Sequence, residues 1–406
     1  MSTSEQFVKI CGEIGNYTEK LTGVSIVDAY IGPEELHPKN QSVEKTPEEL
    51  VHDIHETFDS IRDEIHDPLR FEYMTGELHS LNTVVDWLSG KELSYEQLVE
   101  GLFHIELKQF PEDVIDESIR LLGLRISEFP GNDLRDKVTR FGSEGEVTGD
   151  DLKTLIENEL QTKSKEVGEL FRDRIFAQMG SSVPDKGVQY EAVKNQPWSG
   201  YNWYQGGFKS LNQFNIDAKF NKDTLLNVIY HEYEHHVSNL WREKAYLKSQ
   251  ELELSIVPLH TGRCVISEGT ADTAKEFLRV TDDSPRMQVI ESLYALRRMT
   301  SINAAIMLNA KRCGVDDAVN YLVDRGFRTE ESAQQSINFI SPTTKDGSIN
   351  FFAPYIFTYF TGKTDFVLPM YKKAVDQDVL PEFFKTVYMN PYSGSSVTWK
   401  KAFEWM

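Results

Sequence analysis

At 406 residues, with 40% apolar and 26% charged side chains, the sequence has the composition of a folded protein large enough for a sizeable core and for two or three lobes. Its 64 acidic residues outweigh 43 basic ones, giving a net charge of −21 spread along the chain. A field of that sign repels phosphate, so nucleic acid is excluded as a partner. No run of about 18 apolar residues is present, so no membrane span is expected.

Met1-Ser2-Thr3-Ser4 lacks a basic stretch followed by an apolar one, so no secretory leader is expected. Cys11, Cys264 and Cys313 form no C-x-x-C and leave an odd count, which fits a reducing compartment, and the expected location is cytoplasmic. Residues 1 to about 50 read as a helix and then a loop, with turn signals at Gly32-Pro33. From Thr46-Pro47-Glu48-Glu49, which places Pro at the first helical position, a helical pattern runs to about Trp87 with Leu50, Ile54, Phe58 and Ile61 on one face. Ser94-Tyr95-Glu96-Gln97 is a capping box, and helices follow to about Phe129 with a break at Pro111. Gly142 to Gly149 is an acidic link, and Asp150 or Asp151 opens a further helix to about Met179. The expectation is an almost wholly helical N-terminal lobe over 1–195.

The composition then shifts. Gln196 to Gly207 is rich in glycine and aromatic residues, and Lys209 to Phe220 alternates from Phe214 onward, so a loop and a small β element are expected. From Asp223, read as the N-cap, Thr224 to Lys248 holds no Gly or Pro and carries Leu225, Ile229, Tyr233, Val237, Leu240 and Trp241 at helical spacing. This helix contains Tyr230-His231-Glu232-Tyr233-Glu234-His235-His236, a complete H-E-x-x-H. His231 and His235 sit one turn apart on one face, able to clamp a single ion, with Glu232 beside them. His236 points about 100° away and is read as a packing or hydrogen-bonding residue. Zinc takes imidazole nitrogen and, when catalytic, keeps one of four positions open, so one more ligand is required.

Downstream, Ser267-Glu268-Gly269-Thr270-Ala271-Asp272 sets two carboxylates four residues apart on a second helix, with Ser267 as its cap. Ordinary charges in a helix first turn are the competing explanation. H-E-x-x-H followed by E-x-x-x-D resembles the gluzincin zinc peptidases, and the helicity resembles the carboxypeptidase Taq and neurolysin-like oligopeptidase groups. The resemblance covers about residues 201 to 375. It implies that His231, His235 and Glu268 bind one zinc ion, that Glu232 is the base, and that Asp272 holds the ring of His231. It also implies a use for the Lys209–Phe220 strand, which stands where an edge strand pairs with substrate backbone; a plain hairpin over the core is the alternative.

After a long helix from Ser284-Pro285 to about Arg312, helices are expected at 316–324, 329–340, 354–360, 381–389 and 398–405. Tyr355 and Tyr359 share a face and stand where the resembling families keep an oxyanion-stabilising group, Tyr359 first; packed tyrosines with satisfied hydroxyls are the alternative. Arg297, Arg298 and Lys363 are candidates for a substrate carboxylate. The sequence therefore reads as a mainly α, two-lobed zinc metallopeptidase acting on short peptides, with the catalytic lobe over 196–406 and a small β element beside the metal helix. Two alternatives stay open. One is a zinc-stabilised binding protein whose site is closed by a fourth ligand such as Cys264 or His260. The other is a zinc hydrolase of a non-peptide amide or ester.

Overall fold

The computed structural model describes residues 1–40, 44–196, 199–280 and 282–406. Pro197 and Trp198, part of the expected glycine and aromatic loop, lie outside the described residues. The fold is mainly α, with small sheets.

Local chemistry accounts for several helix starts. Ser2 with Glu5, Thr46 with Glu49 and Ser94 with Gln97 form capping boxes at the heads of helices Thr3–Thr22, Pro47–Glu64 and Tyr95–Phe103. Each such cap contributes about 1 kcal/mol. The single helix expected from Thr46 to Trp87 is two. Asp67 caps a new helix, Pro68–Leu88, because the residue before a proline is driven out of helical conformation.

Among the described residues there are seven short strands: β1 Val27–Tyr30, β2 Glu146–Val147, β3 Val188–Val193, β4 Gly200–Tyr204, β5 Ser210–Asn215, β6 Phe220–Asn221 and β7 Ile256–Pro258. β1 pairs antiparallel with β7, and β2 with β6. The largest sheet has the order β3-β5-β4, with β3 parallel and β4 antiparallel to β5. The stretch expected to supply an edge strand is therefore the central one. Both of its hydrogen-bonding edges are taken, and the edge strands are β3 and β4.

The residues 149–179 form a continuous helical run, widened to π-type turns at Leu155–Leu160 and Arg172–Phe176. Two main cores follow. One joins the first four long helices to Tyr246, Leu254, Cys264, Val265, Ile302, Phe351 and Phe357. The other joins 149–179 and the β3-β5-β4 sheet to Ile229, Tyr233, Val237, Trp241, Ile266 and the 367–403 region. Helices Lys222–Ser249 and Gly262–Asp272 contribute to both, so the residues they carry are held between two packed masses.

Candidate metal centre

The helix Lys222–Ser249 begins one residue before the expected cap. Asn221 accepts from the amides of Asp223 and Thr224, while Asp223 lies in the first turn and pairs with Arg286 at 2.6 Å. A carboxylate there is favoured by the helix dipole. The far side of this helix is anchored to the sheet. His236, fully buried, bridges Ser210 Oγ of β5 (2.8 Å) and Asp185 (3.2 Å), and Glu243 accepts from Tyr204 and from the amides of Gly207 and Phe208. His236 thus fixes the rotation that turns His231 and His235 the other way.

The second helix, Gly262–Asp272, starts five residues before the expected Ser267 cap. Its opening run of Gly, Cys and Val is poor in helix propensity, and burial of Cys264 and Val265 overrides that. Ser267 lies mid-helix, with its hydroxyl 3.2 Å from His235 Nδ1. Gly269 is required for a close crossing: a Cβ there would stand 2.5 Å from the backbone of Gly362, and one on Gly362 would stand 2.0 Å from the Val265 carbonyl oxygen. This crossing brings the Tyr355 segment onto Glu268.

At the centre, His231 Nε2, His235 Nε2 and Glu268 Oε2 form a triangle with edges of 3.1, 3.3 and 3.7 Å. Four ligands placed tetrahedrally at about 2.0–2.1 Å from zinc are roughly 3.3–3.4 Å apart, so the donor set fits the ion. The other faces of these groups are spoken for. His231 Nδ1 is 2.8 Å from Asp272 Oδ1, and Tyr355 donates to Glu268 Oε1 at 3.0 Å. Glu268 Oε2 is buried without a hydrogen-bond partner. Three side-chain atoms thus converge on one point, as a set of ligands to a single cation would. The side chains of His231 and His235 are 18% and 17% exposed, so solvent reaches them.

The electrostatics couple the carboxylate to the two imidazoles. Burial alone would push the Glu268 carboxyl up, but the two imidazoles hold it well below the usual carboxylate range. Burial likewise opposes charge on His231, yet Asp272 and Glu268 raise its proton affinity. A divalent ion competes for the same lone pairs.

Around this cluster the structure distributes the other candidates. Glu232 is half-buried and makes no hydrogen bond or ion pair among the described residues. Tyr355 is committed to Glu268, whereas Tyr359, in ring contact with it, has a half-buried phenol without a hydrogen bond among the described residues. Arg298 lies over the rings of Tyr359 and Tyr294. Arg297 instead donates to the carbonyls of Gly326 and Phe327, and Lys363 to the Asp272 carbonyl and the Glu276 carboxylate, so neither cation is turned to the cluster. Neither proposed fourth ligand joins it. Among the described residues the donor set is His231, His235 and Glu268. Burial pushes His260 down to about 3 and Cys264 up to about 11, keeping both neutral, and His260 is ringed by Trp87, Phe103, Phe351 and Tyr355.

Sequence reasoning missed Tyr294, which donates to both oxygens of Asp272 at 3.1 Å, and the Tyr201–Asp28 hydrogen bond (2.7 Å) that ties β4 to β1. Tyr294 lies four residues before Arg298, a helical spacing that was readable. Nothing local announces Asp28.

No protein-family model and no curated protein matches the sequence. Among solved structures, the chain is similar to a protein from Colwellia psychrerythraea described as a lipoprotein, with a TM-score of 0.54, 14% identity, and coverage of 96% of this chain and 68% of that one. It also matches a protein from Shewanella oneidensis, described as a lipoprotein of unknown function, with a TM-score of 0.44, 13% identity, and coverage of 87% and 71%. The likeness to the Colwellia protein is one of fold. That protein's description as a lipoprotein is at odds with the expected cytoplasmic location, which does not stand. The cysteine argument behind it was weak for a physical reason: Cys11 and Cys264 are buried, and buried thiols escape oxidation in any compartment. Among the described residues no helix is long and apolar enough to cross a membrane.

Proposed function

We propose that this protein is a zinc-dependent metallopeptidase of the gluzincin type, hydrolysing peptide bonds of short peptides. The observation that carries the reading is the convergence of His231 Nε2, His235 Nε2 and the partnerless Glu268 Oε2, with Asp272 behind His231. His231, His235 and Glu268 would hold the ion, and a set of three protein ligands is the number that catalytic zinc sites use. When bound, the zinc polarises a carbonyl and makes a nearby water more acidic.

The chain's own groups supply the rest. Glu232, next to His231 and free of competing hydrogen bonds, takes a proton from the attacking water and delivers it to the leaving amine; such a base contributes about 10²–10⁴-fold in rate. Tyr359 donates to the oxygen on which negative charge develops, a contact worth on the order of 3 to 4 kcal/mol. Tyr355 is a positioning residue: it holds Oε1 of Glu268 so that Oε2 faces the imidazoles. Asp272 fixes the His231 tautomer with Nδ1 protonated and Nε2 bare.

The test is elemental analysis of the purified protein beside His231→Ala and Glu268→Ala, followed by peptide-library turnover with Glu232→Gln. One zinc per chain, lost in both ligand variants, is expected, and Glu232→Gln should retain zinc and lose about 10²–10⁴-fold in turnover. A wild type that binds no zinc when supplied with it ends the reading, and full activity of Glu232→Gln ends the mechanism.

A further inference from the structure

His260 lies between strand β7 and the helix Gly262–Asp272, which carries Glu268 and Asp272. It is fully buried, and neither ring nitrogen has a hydrogen-bond partner among the described residues. Aromatic side chains box the ring in: centroid distances are 4.2 Å to Phe351, 5.6 Å to Tyr355, 5.9 Å to Phe103, 6.1 Å to Phe352 and 6.4 Å to Trp87. Its backbone is left-handed, with a φ of 54°, a conformation that a Cβ disfavours. A phenylalanine would satisfy such a box, whereas an imidazole buries a donor and an acceptor there unpaired. The position suits the shape of the histidine and opposes its chemistry.

Two routes join this box to the donor set. Tyr355, one of its walls, donates to Glu268 Oε1 at 3.0 Å. Thr261, the next residue in the chain, is the N-cap of the helix on which Glu268 stands. The titratable groups around the ring supply no counter-charge. Burial keeps the Tyr355 phenol and the Cys264 thiol neutral, lowers His104 at the end of helix Tyr95–Phe103, and raises Glu77, beside Thr261, to about 7. Burial alone acts on His260, bringing it down to about 3. Ring faces return to a cation only part of what it loses with water. A proton on His260 is therefore not accommodated where the ring lies.

We propose that His260 is an acid-released positioning residue: neutral, it wedges Tyr355 against Glu268, and protonation drives its ring out of the aromatic box, frees Tyr355 and loosens the third ligand. The effect on zinc rests on the metallopeptidase reading; the opening of the box does not. The direction follows from linkage. An opened, solvated imidazole takes up a proton at its ordinary value of about 6.5 and the closed one does not, so each pH unit below that favours the open form about tenfold. From pH 7 to pH 5 the shift is about 25-fold. Opening also relieves the left-handed backbone.

The test compares metal-free wild type with His260→Phe by amide hydrogen exchange at pH 7 and pH 5, each rate divided by the intrinsic rate at that pH. Over 256–268 and 351–360 the wild type should loosen about 25-fold relative to the variant between the two conditions, while other segments keep their ratio. A ratio that stays constant in those segments, or one that changes equally along the whole chain, overturns the proposal. His260→Gln, which also lacks a titratable ring, makes the same comparison if His260→Phe does not fold. The second readout is the rate of zinc release to excess chelator. His231, His235 and Glu268 are present in both proteins, so their own titration cancels in the ratio of wild type to variant, which should rise about 25-fold at pH 5. A constant release ratio beside a shifted exchange ratio overturns the link to Glu268. A wild type that takes no zinc at pH 7 ends the metallopeptidase reading instead, and the exchange comparison then decides the opening by itself.

Discussion

Replacing Gly362 by alanine tests the link between packing and the site. The added Cβ would stand 2.0 Å from the Val265 carbonyl oxygen and 2.9 Å from the Gly269 nitrogen, both backbone atoms of the helix that carries Glu268. The closest tolerated C···O contacts are about 3.3 Å, so the two segments must part by roughly 1.3 Å. Overpacking of this kind costs about 3 kcal/mol. The same displacement would stretch the 3.0 Å Tyr355–Glu268 hydrogen bond beyond hydrogen-bonding range, releasing the third ligand. Zinc affinity should then fall about 10–100-fold, as it does when a group supporting a ligand is lost. Urea unfolding followed by tryptophan fluorescence reads the first effect, and zinc titration against a chromophoric chelator reads the second. Gly142→Ala is the control. That glycine lies in helix Leu134–Glu144 with nothing within 4 Å of its Cβ position, so alanine should stabilise by about 0.5–1 kcal/mol. If Gly362→Ala unfolds within about 0.5 kcal/mol of wild type and binds zinc equally well, the glycine crossing does not set the position of Glu268.

Three further outcomes are expected. Asp272→Asn should lower zinc affinity about 10–100-fold while leaving the melting temperature of the metal-free protein little changed, because the Tyr294 contact survives and only the charge behind His231 is lost; equal affinity by competition titration would remove Asp272 from the site. Glu77 is fully buried, and burial pushes its carboxyl up to about 7 despite the nearby Thr261 and Arg263. Its folded-state value is above the unfolded one, so its contribution to stability is complete below about pH 4.5 and lost as pH rises to about 7, a swing of about 3 kcal/mol. Glu77→Gln should therefore exceed wild type in stability at pH 8 and match it near pH 4.5, and parallel pH–stability curves would refute this. Zinc at 100 times its dissociation constant should stabilise the fold by about 2.7 kcal/mol, reversed by chelator and absent in His231→Ala; calorimetry with no shift in the wild type would mean that the donor set takes no ion.

What the sequence disclosed and what it hid divide along a physical line. His231 and His235, Glu268 and Asp272, and the caps at Thr46 and Ser94 are relations within four residues, and a helix makes such relations explicit. The misplacements were local competitions. Asn221 outcompeted Asp223 as cap because Asp223 pairs with Arg286, and Asp67-Pro68 broke a helix whose apolar period ran on through Ile61 and Ile65. β3 was missed although Val188 to Val193 alternates in burial over its first four residues, because its pairing with β5 is parallel and non-local, with no hairpin turn to announce it. The remaining contacts have no local signature at all. β1 meets β7 across more than half the chain, and Asp28 meets Tyr201 only because that pairing and the β3-β5-β4 sheet bring β1 and β4 together. The donor atoms are written in helical spacing because they must share a point a few ångströms wide on adjoining turns. The groups that aim them, Tyr294, Tyr355 and the Gly269–Gly362 crossing, come from whichever segment packs alongside, and that is decided by the two cores rather than by any motif.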